Sequence, residues 1–79
     1  MTIQYGITEE IYYLQEKQRI SYGIAAYADA EQDGTAIIVA SVHDITMDKA
    51  RLSVFIQKCN RWGLSPLHLE DAVDDFLAE

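Results

Sequence analysis

Cys59, His43 and His68 are the side chains whose types allow nucleophilic or metal chemistry. A thiolate beside an imidazole makes a Cys–His dyad, and one cysteine with two histidines nominally makes a zinc set. The spacing supports neither. Zinc ligands come in short paired steps, whereas these three residues are scattered. Cys59 also falls within an apolar helical stripe, where a neutral thiol packs as a small hydrophobe. The expectation is a core cysteine and two surface or interface histidines. The run Asp29-Ala30-Glu31-Gln32-Asp33-Gly34 sets acids at alternate positions before a glycine, as a calcium loop begins. The position due a bidentate glutamate is Ala40, so an acidic hairpin loop is expected, with no metal or cofactor. Ser21, Ser41, Ser53 and Ser65 lack a nucleophile-elbow context, and the 4 glycines are isolated rather than grouped around a phosphate. No acid–base–nucleophile set is legible, and a non-enzymatic protein is expected.

Glu70, Asp71, Asp74 and Asp75 form the densest charge cluster. On a helix the four-residue spacings Glu70/Asp74 and Asp71/Asp75 are like-charge pairs, each unfavourable by about 0.2–0.5 kcal/mol. Carboxylates held together at that cost form either a solvated face, partly neutralised by Lys49, Arg51, Lys58 and Arg61, or an acidic docking surface for a basic protein partner.

The elements that must position these groups follow from period and punctuation. Ile20 to Ala28 alternates, with Ile20, Tyr22, Ile24, Ala26 and Ala28 on one face, as in a strand. Glu10 to Gln15 and Ala36 to His43 are two further strands, with Gln15 to Arg19 as one connection and Asp33-Gly34 as a hairpin turn. Ile3 to Ile7 either extends the first strand or precedes it. From Thr46 the period becomes helical: Thr46 is placed as a cap, and Leu52, Phe55, Ile56, Cys59 and Trp62 form one stripe. Gly63 ends that helix, Ser65-Pro66 starts the next, and Leu69, Ala72, Val73, Phe76 and Leu77 form its stripe. The whole chain, 1–79, therefore reads as a single small α+β domain: a three-stranded antiparallel meander followed by a helical pair packed on one sheet face (β-β-β-α-α).

If Ile38, Ala40 and Val42 face the helices, then Ala25, Tyr27, Ile37, Val39, Ser41 and His43 lie on the opposite face. That face is too apolar for a solvated sheet, and it is expected to pair copies of the chain as a homodimer. The alternative is a small-molecule-binding domain with a pocket between sheet and helices, lined by Tyr22 and Trp62.

Composition narrows the partners. The chain has 79 residues, 49% hydrophobic, too apolar for disorder and short enough for its core to be modest. Its 13 Asp+Glu against 6 Lys+Arg give a net charge of −7, which repels nucleic acid and anionic membrane surfaces. With one cysteine and no apolar run of membrane-spanning length, the expectation is a soluble cytoplasmic protein.

Asp44-Ile45-Thr46, Cys59-Asn60-Arg61, the stretch Leu64 to Leu77 and the strand Tyr22-Gly23-Ile24 resemble a family of short Firmicutes proteins of unknown function. The resemblance runs from about residue 20 onward. It implies a cytoplasmic bacterial protein and brings no activity, cofactor or catalytic residue.

Overall fold

The alternating segment becomes the central strand of an antiparallel sheet. The computed structural model describes residues 2–29 and 34–79. Strand β1 (Ile3–Leu14) is followed by β2 (Lys17–Asp29) and β3 (Ala36–Thr46), in the spatial order β1-β2-β3. Helix α1 (Lys49–Trp62), a short 3-10 turn (Pro66–His68) and helix α2 (Leu69–Ala78) complete the β-β-β-α-α order of an α+β fold. Ile3 to Ile7 extends the first strand, which runs without a break through Thr8-Glu9-Glu10. The first connection is shorter than the polar run suggests. Gln15 and Glu16 alone make the turn, at φ 54° and 64°, the left-handed pair of a two-residue hairpin. The acidic run after Asp29 lies mostly outside the described residues.

The helices cover one sheet face. Helix α1 lies over β1 and β2, and α2 over β3. The core between the layers holds Tyr5, Ile24, Ala26, Leu52, Ile56, Cys59, Leu69, Val73 and Phe76. The punctuation largely does what its residue types dictate. Gly63 closes α1 in the left-handed region at φ 63°, and Ser65 caps the 3-10 turn with Pro66 inside it. The α1 cap, however, is Asp48, whose side chain accepts from the Arg51 N–H at 3.1 Å. Thr46 instead ends β3, and its hydroxyl accepts from the Asp48 N–H at 3.1 Å. An Asp two residues further on takes the cap because β3 runs longer than its apolar alternation suggests.

The end of α1 is pinned to the β1 edge. The Asn60 side chain accepts from the Tyr5 N–H at 2.7 Å and donates to the Tyr5 carbonyl at 3.0 Å. The Tyr5 hydroxyl donates to the Leu64 carbonyl at 2.6 Å. Asn60 thus satisfies a backbone donor and a backbone acceptor that an edge strand leaves open. Asn60→Ala removes both partners and is expected to cost about 1–3 kcal/mol. Thermal unfolding followed by circular dichroism checks this, and a midpoint equal to that of the parent would show that water replaces the clamp at no cost.

Register decides which side chains share a face. Ile24 pairs with Val42 and Ala26 with Ala40, which puts Ala40 and Val42 on the helix side. Beyond that, Tyr27 pairs with Ile38 and Ala28 with Ile37, so Val39 is an extra residue in β3. The bulge shifts the alternation by one. Ile38, expected toward the helices, shares the open face with Tyr27, and Ile37 moves to the helix side while staying exposed. A second irregularity lies between Tyr22, opposite Thr46, and Ile24, opposite Val42. Gly23 on β2 is there matched by His43, Asp44 and Ile45 on β3, with Asp44 at φ 55°.

Candidate functional site

On the open sheet face, the middle of the centre strand presents the small residues Ser21, Gly23 and Ala25, all buried. Tyr27 lies against Gly6, its ring 3.3 Å from where a Gly6 Cβ would stand. The extra residues of β3 fold over Gly23. Ser21 there donates its hydroxyl hydrogen bond to the Asp44 carboxylate at 2.5 Å. Beside that pair, His43 Nδ1 lies 2.7 Å from a Glu10 carboxylate oxygen, and its Nε2 lies 3.4 Å from the Ser41 hydroxyl. Glu10, Ser41 and His43 are all exposed. Sequence reasoning missed Glu10 and Asp44, because no short-range pattern links them to Ser21, Ser41 or His43 and only strand register brings them together.

The residues expected at an interface therefore separate. Ser41 and His43 reach solvent on the open face, Tyr27 is half-buried there, and Ala25 is covered. Val39 stands in the bulge and Ile37 is turned the other way, so the exposed aliphatic side chain that β3 places on this face is Ile38. The surface is smaller and more polar than strict alternation suggests, since it carries two hydrogen-bonded carboxylates.

The histidines and the cysteine do not meet. Cys59 is buried on the helix side, and burial pushes its thiol upward from the ordinary range, which favours the neutral form over the thiolate. Burial raises the Tyr5 hydroxyl in the same way, with the nearby Cys59 adding to it. His68 is exposed at the start of α2. Among the described residues no group of three or more His, Cys, Asp or Glu side chains gathers as a metal site.

A concavity lies between the two helices, lined by residues of α1, α2 and the segments beside them and by none from the strands. It is a groove of about 590 Å³. Phe55 and Phe76, with ring centroids 4.9 Å apart, are part of its lining together with Cys59 and Leu64. Val54, Lys58 and Trp62 line it from α1, and Ala72 and Asp75 from α2. Arg51 reaches across one end. Its guanidinium lies 4.5 Å from the Phe76 ring centroid, donates to the Phe76 carbonyl at 2.9 Å and approaches the Glu79 carboxylate at 3.9 Å. Of the aromatic residues expected in a pocket, Trp62 lines this groove and Tyr22 does not. Tyr22 is half-buried on the helix side of the sheet with the Lys49 ammonium 5.7 Å from its ring centroid. The concavity thus separates helix from helix rather than helices from sheet.

The acidic cluster Glu70, Asp71, Asp74 and Asp75 is exposed on α2. The basic residues of α1 do little to neutralise it: among the described residues the ion pair between the helical segments is Arg51 to Glu79.

These features define a small α+β protein with an open meander sheet, one helical layer and an apolar groove in that layer. The chain belongs to a family of unknown function, DUF6514, whose model matches residues 1–79. No curated protein matches the chain. No solved structure matches it either. Among the described residues no helix is long and apolar enough to cross a membrane.

Proposed function

We propose that this protein is a non-enzymatic interaction module that works as a homodimer, in the cytoplasm of the Firmicutes bacteria its sequence resembles. The observation that supports the reading is the amount of large apolar surface left uncovered on so small a fold. Ile11, Tyr13 and Leu14 at the end of the first hairpin, Ile38 on the sheet, and Val54 and Trp62 on α1 are all more than half exposed. A chain of this size gains needed burial by association. The acidic surface of α2 adds a docking site for a basic protein partner.

Native mass spectrometry tests the reading. The expected mass is about 18 kDa, twice the 9.0 kDa chain. A monomer at micromolar concentration would remove the reading.

The interhelical groove favours a second reading, a small-molecule-binding domain. Its volume lies within the range of ligand pockets, and Trp62 reports on its occupancy. A small molecule retained in the same spectra, displaced with a change in Trp62 fluorescence, would favour this reading.

A further inference from the structure

We infer that two copies of this chain pair through their helical layers, groove against groove, about a two-fold axis running along the groove. The inference rests on the self-association reading and assigns it a surface and a symmetry.

Charge distribution carries it. Helix α1 holds Lys49, Arg51, Lys58 and Arg61 and no acidic residue. Helix α2 holds Glu70, Asp71, Asp74 and Asp75 and no basic residue. Of the chain's 6 Lys+Arg, all but Lys17 and Arg19 lie on α1. A chain of net charge −7 has concentrated its positive charge on one helix, next to its most acidic one. Within a single copy that proximity is barely used. Arg51 approaches Glu79 at 3.9 Å, while Lys58 and Asp75, on opposite walls of the groove, are exposed and make no ion pair among the described residues.

Of these charges, Arg51 and Lys58 line the groove on the α1 side and Asp75, with the terminal Glu79, on the α2 side, and a basic wall beside an acidic wall is complementary to itself under one orientation. An axis along the groove lays the basic wall of each copy on the acidic wall of the other. An axis across the groove would lay basic on basic and acidic on acidic. Like-charge juxtaposition is strongly unfavourable at an interface, so charge selects the first arrangement. The net repulsion between two acidic chains makes this selection sharper, because α1 holds four of the six Lys+Arg that can offset it. Apolar burial follows the same geometry. Val54, 52% exposed, and Trp62, 73% exposed, line the groove that the other copy would close. A tryptophan at the rim of an apolar groove is the residue type that most often anchors an interface. The open sheet face lacks this complementarity, since its carboxylates are already taken by Ser21 and His43.

The test is a charge swap read by native mass spectrometry and sedimentation equilibrium. Lys58→Glu sets acid against acid twice per dimer, and Asp75→Lys sets base against base. Each is expected to weaken the dimer at least about tenfold. The double variant Lys58→Glu/Asp75→Lys exchanges the walls and is expected to return to within a few-fold of the parent. Ile38→Asp, on the sheet face, is expected to dimerise as the parent does. All three sites are exposed, and circular dichroism checks that each of the four variants is folded. A parent dimer left intact by both single reversals, or lost in Ile38→Asp, overturns the placement and leaves the self-association reading standing. A monomeric parent overturns both. A double variant weaker than either single overturns the cross-wall pairing. A small molecule bound one-to-one to a monomer gives the groove to a ligand and overturns the inference.

Discussion

Gly23→Ala is expected to destabilise the fold by about 3 kcal/mol or more, at or beyond the upper end for overpacked interiors. Gly23 lies at the second irregularity of the β2–β3 pair. A Cβ there would overlap the Val42 carbonyl oxygen, stand 2.9 Å from the Thr8 hydroxyl and 3.1 Å from the His43 Cα. Two of those neighbours are backbone atoms of β3, so rotating a side chain away cannot relieve the overlap. The strand itself must shift, and with it the turn that carries Asp44 onto Ser21. Stability for 79 residues is expected at about 4–12 kcal/mol, so the loss is a large share of the total. It corresponds to a midpoint lowered by about 12–24 °C or more. Gly6→Ala is the control: its Cβ meets only the edge of the Tyr27 ring, at 3.3 Å, a side chain rather than a backbone atom of a paired strand. A Gly23→Ala protein melting within a few degrees of the parent would mean that β3 does not cross as closely as described.

Phe76→Ala is expected to cost about 3–5 kcal/mol. Phe76 is 3% exposed and sits where both layers and the groove meet. Its removal takes away the ring pair with Phe55 and the face on which Arg51 rests. The Arg51 bond to the Phe76 carbonyl uses backbone and survives the substitution in principle, but it loses the surface that orients it. Phe76→Leu keeps most of the volume and is expected to cost less than about 1.5 kcal/mol. Denaturant unfolding of both variants checks the difference. If the two losses are equal, the groove wall collapses around the missing ring, and packing at Phe76 is not what holds α2 to the sheet.

Local chemistry was enough to read most of the scaffold. Alternation over Ile20 to Ala28 specifies a strand because side chains on a pleated backbone point to opposite faces, whatever lies around them. Gly63 and Ser65-Pro66 specify a stop and a restart because the left-handed terminator and the serine cap depend on a few neighbouring residues. The core positions of both helices were legible for the same reason at Leu52, Ile56, Cys59, Leu69, Val73 and Phe76, whereas Trp62, 73% exposed, and Leu77, 53% exposed, complete the helical period without entering the core. Where the reading failed, distant residues competed. Thr46 and Asp48 are both acceptable caps, and the length of β3, set by pairing with β2, gave the position to Asp48. The open face was misread at Ile37 and Ile38 because one bulge residue, Val39, reverses the parity of everything before it, and a bulge has no dependable signature in a single strand. The clustering of Glu10, Ser41 and His43 follows from that register. The charges of α1 and α2 were countable from composition and period. That they stand side by side along an apolar groove, almost unneutralised, was decided by the tertiary structure, because helix placement follows the burial of Phe55, Phe76 and their neighbours, while exposed charges in water exert too weak a pull to redirect it.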